Sequence, residues 1–142
     1  MRRPWLPHGP EFRFVDEVLR WQSGCSVTGR LDLRASAPRP LYSGSLPCAY
    51  LLEAMIQTCG LLFPRSEGGS ETSSPAVVVA LDRVRWYGTP GAADRILTRC
   101  RLLSRVGALL RCRCAARREG GGLLATGDIT LCAAGEAILE SD

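Results

Sequence analysis

The sequence predicts an α+β fold in one domain: a long buried central helix wrapped by a curved antiparallel sheet of five to six strands. Three observations predict it. The segment Leu46 to Phe63 is apolar almost all round, as a helix inside a fold must be. Several further segments alternate apolar and polar residues with the period of half-buried strands. Clusters of Gly, Pro and Ser separate them at turn-like intervals.

Taken in order, Phe12 to Gln22 reads as a first strand, with rough alternation, and Ser23-Gly24 as a turn. Cys25 to Leu33 sets Cys25, Val27, Gly29, Leu31 and Leu33 against Ser26, Thr28, Arg30 and Asp32, a half-buried strand. Arg34 to Ser45 is loop by its Pro, Gly and Ser content. In the helix Leu46 to Phe63, Pro47 suits the first turn, Ser45 is positioned to cap it, and Pro64 ends it. Residues 65–75 read as a surface loop. Ala76 to Tyr87, Asp94 to Arg105, Ala108 to Arg118 and Leu123 to Cys132 follow as strands, with a Gly-rich hairpin turn at Glu119 to Gly122. The whole of 1–142 is expected to form a single domain, with a core over 6–132 and a frayed tail over 133–142.

Composition narrows the classes of function. At 142 residues, 46% hydrophobic and 23% charged, the chain has the material for one packed core. No run approaches the roughly 18 apolar residues of a membrane span. The first residues carry two arginines but no apolar run after them, unlike a signal peptide. Seven cysteines, an odd number, are too dilute for a disulfide scaffold, so a reducing, cytoplasmic setting is expected. Cys112 and Cys114 share one face of a strand, but a zinc site needs two more ligands and the single histidine, His8, is far away. No metal site is expected, and the cysteines read as small buried hydrophobes. All 18 basic residues are arginine and the net charge is +4, which favours an acidic partner. No basic helix or interleaving of aromatic and basic residues points to nucleic acid.

One feature points to chemistry on physical grounds. Glu53 lies in the middle of the apolar helix, with Gln57 four residues on and Ala49 four residues before, all on one face. Burial of such a carboxyl favours its protonated form, which can act as a general acid. The helix start, Leu46-Pro47-Cys48, offers backbone N–H groups that suit a carbonyl oxygen or an anion.

The order of the motifs resembles a known family. Leu6-Pro7-His8, then Phe14-Val15-Asp16-Glu17-Val18-Leu19, then Leu46-Pro47-Cys48-Ala49-Tyr50-Leu51-Leu52-Glu53-Ala54-Met55-Ile56-Gln57, are similar to motifs of the hotdog-fold 3-hydroxyacyl-[acyl carrier protein] dehydratases of fatty-acid and polyketide synthesis. Leu81-Asp82-Arg83-Val84-Arg85-Trp86, with Thr89-Pro90-Gly91 and Asp94, resembles a third family segment. The likeness is collinear from Leu6 to Cys132. It departs where the family carries its catalytic histidine, in a loop before the central helix. Here that loop is Arg39 to Ser45 and has no histidine, and the family's helix-start glycine is Cys48. His8 matches a family histidine that is not the catalytic one. In this the chain looks like the histidine-lacking dehydratase-like subunits of aryl-polyene clusters.

The resemblance implies a hotdog domain and a divided active site. It implies that Glu53 is the catalytic acid, facing a histidine brought by a partner subunit, and that the product is a trans-2-enoyl thioester. Cys48, Ala49 and Gln57 are the implied substrate-binding residues, and Arg83 and Arg85 the implied contacts to an acidic acyl carrier protein. The substrate would ride on that protein's phosphopantetheine arm, with no other cofactor. The implied partners are a histidine-bearing hotdog dehydratase subunit and the carrier protein, in a dimer or higher oligomer. Two other readings stay open: a non-catalytic hotdog partner that stabilises an active dehydratase, and a hotdog acyl thioesterase in which Glu53 activates water.

Overall fold

A computed structural model describes residues 13–34, 44–63 and 76–133. These form β1 (Glu17–Gln22), β2 (Ser26–Asp32), α1 (Cys48–Gly60), β3 (Ala76–Trp86), β4 (Arg95–Val106), β5 (Leu109–Arg118) and β6 (Leu123–Ala133). The strands make one six-stranded antiparallel sheet in the order β1-β2-β4-β5-β6-β3. The helix lies on one face of it. Tight turns with left-handed glycines, Gly24 (φ 70°) and Gly107 (φ 57°), join β1 to β2 and β4 to β5. No helix among the described residues is long and apolar enough to cross a membrane.

The expected alternation decides which face each strand buries. Ile96, Thr98 and Cys100 of β4, and Leu110, Cys112 and Cys114 of β5, point at α1 and are buried. The arginines between them point away. From the helix, Leu51, Ala54, Met55, Thr58 and Cys59 meet this surface, and all are buried. Each large apolar side chain withdrawn from water here contributes on the order of 1.5–3 kcal/mol.

Two elements, β1 and the helix, differ from expectation by two residues or more at an end, and the other strands by at most one. β1 begins at Glu17, not Phe12, and Phe14 and Val15 before it are both buried. The Phe14 backbone N–H bonds instead to the Gln57 side chain, at 2.7 Å. The helix spans Cys48 to Gly60 rather than Leu46 to Phe63. Pro47 is its N-cap, and Ser45 does not cap it; Ser45 pairs with Gly91 across a short bridge. At the other end, Leu61 and Leu62 donate to the carbonyls of Thr58 and Cys59, three residues back, so the last turn tightens before Pro64.

Close approach of helix and sheet is possible at Gly29. A Cβ there would stand 2.8 Å from a Val15 methyl and 3.4 Å from the Thr58 hydroxyl. The edges of the sheet are β1 and β3. β3 exposes Val77, Val79, Leu81 and Trp86, each at 42% or more, and its register slips at Val79 and again between Asp82 and Arg85.

Candidate active site on the helix flank

The sheet covers one side of α1 only. On the flank turned away from it, Cys48 and Ala49 are exposed, and Tyr50, Leu52, Glu53 and Ile56 are half-buried. Glu53 therefore sits at the border between core and surface. Gln57, which is 2% exposed, donates from Nε2 to Glu53 Oε1 at 3.2 Å, while its own Oε1 accepts the Phe14 N–H. One amide thus joins the carboxylate to the segment leading into β1. The Phe14 ring rests on Tyr50, centroids 5.3 Å apart, closing the same flank.

The helix start is held in place from a distance. Arg118 Nε donates to Asp94 Oδ2 at 3.1 Å, and Arg118 Nη2 donates to the Thr89 carbonyl at 2.8 Å. Asp94 Oδ2 also accepts the Gly91 N–H at 2.7 Å. The loop fixed this way receives the Leu46 N–H on the Pro90 carbonyl and sends the Ala92 N–H to the Gly44 carbonyl. The Thr89-Pro90-Gly91 and Asp94 residues of the sequence motif thus brace the entry to α1. The Pro47 carbonyl accepts from Tyr50 and Leu51. The Cys48 and Ala49 N–H groups have no partner among the described residues and remain available as donors at the positive end of the helix dipole. Ala49 is one turn before Glu53, about 6 Å along the axis.

The structure brings Cys48, Ala49, Glu53 and Gln57 onto one helix and does not bring Arg83 and Arg85 to them. By register, Arg85 opposes Thr126, on the face of the sheet away from α1. Both arginines line a shallow depression of about 400 Å³ with Tyr87, Arg113 and Asp128. Arg83 has φ 55°, the left-handed region, where the β3 register slips. His8 and residues 39–43 of the loop before the helix lie outside the described residues.

Sequence reasoning missed two clusters, since neither has a local signal. Asp128, 4% exposed, is gripped by Arg113 at 3.0 and 3.3 Å, with Arg111 at 3.5 Å. Those guanidinium groups hold its carboxyl below the usual carboxylate range, Arg113 most of all. Under the helix, Cys59 of α1, Cys100 of β4 and Cys114 of β5 converge. Burial pushes the Cys59 and Cys100 thiols well up. It works the same way on Cys114, but hydrogen bonds from Cys100 and Cys59 outweigh it and bring that group down to about 6.

No family model matches the chain. In sequence it is similar to the 3-hydroxyacyl-[acyl-carrier-protein] dehydratase FabZ of Teredinibacter turnerae, at 28% identity over 138 residues, which cover 92% of this chain and 92% of that one. In structure it is similar to the dehydratase heterocomplex ApeI:P from Xenorhabdus doucetiae, with a TM-score of 0.81 and 18% identity over 98% of this chain and 95% of that one. The fold is the hotdog fold. A hypothetical thioesterase with coenzyme A from Streptococcus pneumoniae resembles it less closely, with a TM-score of 0.62 and 12% identity over 82% of this chain and 83% of that one.

Proposed function

We propose that this hotdog chain is the carboxylate-bearing subunit of a 3-hydroxyacyl-[acyl-carrier-protein] dehydratase, completed by a histidine-bearing hotdog partner. The observation that carries the reading is the flank of α1. A half-buried carboxyl oriented by Gln57 stands one turn from two helix-start N–H groups that have no partner among the described residues. The similarity to FabZ over 92% of the chain supplies the reaction class. The similarity in structure to the dehydratase heterocomplex ApeI:P supports a hetero-oligomeric reading.

In this reading the partner's histidine takes the C2 proton of the thioester, and Glu53 delivers a proton to the departing C3 hydroxyl. Water leaves and a trans-2-enoyl thioester remains. The Cys48 and Ala49 N–H groups polarise the thioester carbonyl as negative charge gathers on its oxygen. Gln57 serves the substrate by fixing the carboxyl of Glu53. Elimination of water changes no oxidation state, so proton transfer suffices and no cofactor is called for beyond the carrier's phosphopantetheine. The exposed apolar edge β3 suits pairing with a second hotdog sheet, which removes an open edge. Arg83 and Arg85 stand on that same strand, so the acidic carrier protein would dock beside the joint between subunits. The proposal takes the hotdog domain to have its core over 6–132, and seven free thiols suit a reducing cytoplasm.

The test is reconstitution with a histidine-bearing hotdog dehydratase and a 3-hydroxyacyl carrier-protein substrate, followed by mass spectrometry of the product. The mixture should form the enoyl product, and Glu53→Gln should lower the rate about a hundredfold or more. Unchanged activity in the Glu53→Gln complex would favour a stabilising partner without chemistry of its own. Release of free acid in place of enoyl product would favour a thioesterase.

A further inference from the structure

We propose that Cys59, Cys100 and Cys114 form a three-sulfur site for a soft monovalent metal ion, Cu(I), between α1 and the sheet. The proposal goes beyond the dehydratase reading and does not depend on it. The helix and two strands of one hairpin each deliver one thiol to one point. Cys100 and Cys114 are register partners on neighbouring strands, so their side chains stand side by side on the inner face. Cys59 comes down on them from the helix. The Sγ separations are 2.8 Å for Cys59–Cys114, 2.8 Å for Cys100–Cys114 and 3.1 Å for Cys59–Cys100.

Those separations differ from what ordinary packing makes. Non-bonded heavy atoms attract best at roughly 3.5–4.0 Å, and a disulfide closes to about 2.05 Å. Three polarisable sulfurs converge here, and all three residues are at most 1% exposed. An ion at the centre of the triangle would be about 1.7 Å from each sulfur, against about 2.3 Å for a metal–thiolate bond. Each sulfur has about 0.6 Å to retreat, which a small χ1 rotation supplies.

The donor set selects the metal. An all-sulfur set favours Cu(I), zinc or iron–sulfur clusters. Structural zinc takes four ligands in a tetrahedron and iron–sulfur clusters take four cysteines, whereas three sulfurs meet here. Cys112, two residues before Cys114 on the same inner face, is not among the sulfurs that converge. Each cysteine enters as thiolate, the form that binds metal, and releases one proton to the buffer, so three protons leave as one Cu(I) binds. Copper keeps its oxidation state.

The experiment titrates the full, reduced chain anaerobically with Cu(I) as its acetonitrile complex, against a chromophoric Cu(I) chelator. One ion should bind per chain, X-ray absorption should show three sulfur neighbours at about 2.3 Å, and the melting temperature should rise until one equivalent is added. Cys59→Ala, Cys100→Ala and Cys114→Ala should each weaken binding more than about a hundredfold, a loss that even outer-shell changes at metal sites can reach. The variant Cys25→Ser/Cys48→Ser/Cys132→Ser should bind as the native chain does. Should the buried-cysteine variants fail to fold, the native chain's stoichiometry and sulfur count decide. Loss of binding in the outer triple variant, fewer than three sulfur neighbours, no bound equivalent, or preferential uptake of Zn(II) would each overturn the proposal.

Discussion

At the scale of single residues, Gln57 carries the most consequence for its size. It was expected on the sequence to share a face with Glu53, and it does, but its amide also reaches across to the Phe14 backbone. Gln57→Met keeps the volume and removes both bonds. It should cost about 1–3 kcal/mol, the penalty for leaving a buried N–H without an acceptor. Denaturant unfolding measures that loss. Gly29 makes a second, independent case. Its alternation in β2 called for an inward apolar residue, and the space left by Val15 and Thr58 admits only hydrogen. Gly29→Ala should destabilise by about 1–3 kcal/mol through overpacking, read as a lower urea midpoint with unchanged slope.

Among elements, β3 and α1 are each half-finished within one chain. β3 has a partner on one side only, β6, and turns Val77 and Val79 to solvent at 48% and 52%. An exposed apolar edge of eleven residues is a pairing surface unless charge guards it. Val77→Lys/Val79→Lys should therefore shift sedimentation from a dimer or hetero-dimer to a monomer while circular dichroism stays the same. A native chain that sediments as a monomer, with and without its partner, would remove the basis for that prediction. The helix flank of Leu52, Glu53 and Ile56 is likewise left half-open by its own sheet, which explains how a carboxylate is tolerated on so apolar a segment.

For the whole molecule, the outer face of the sheet is rich in arginine, and Asp128 is the buried anion that answers part of that charge. Its folded carboxyl titrates below the usual value of about 3.9. A depressed carboxyl stabilises the fold fully above the unfolded value and loses that contribution as pH falls through the folded one. Asp128→Asn should thus be less stable than the native chain from about pH 5 upward, and the gap should close below about pH 4. Melting temperatures across pH 3 to 7 check both limbs, and a gap that persists in acid would show that Arg113 and Arg111 are not its source.

The sequence by itself determined the architecture, because local signals carry it. The period of two in Ile96-Thr98-Cys100 and in Leu110-Cys112-Cys114 chose the inner face, and the apolar run around Met55 chose the buried helix. It also placed Ala49, Glu53 and Gln57 together, since residues four apart on a helix are neighbours in any fold. Only the tertiary structure decided what lies far apart in the chain. Arg118 bracing the helix entry through Asp94, Phe14 bonding to Gln57, and Arg113 closing on Asp128 join residues up to 43 positions apart. The convergence of Cys59 with Cys100 and Cys114 spans more still. Such pairs depend on strand register and on where the helix lands, and those are set by packing the whole core at once rather than by any one stretch of sequence.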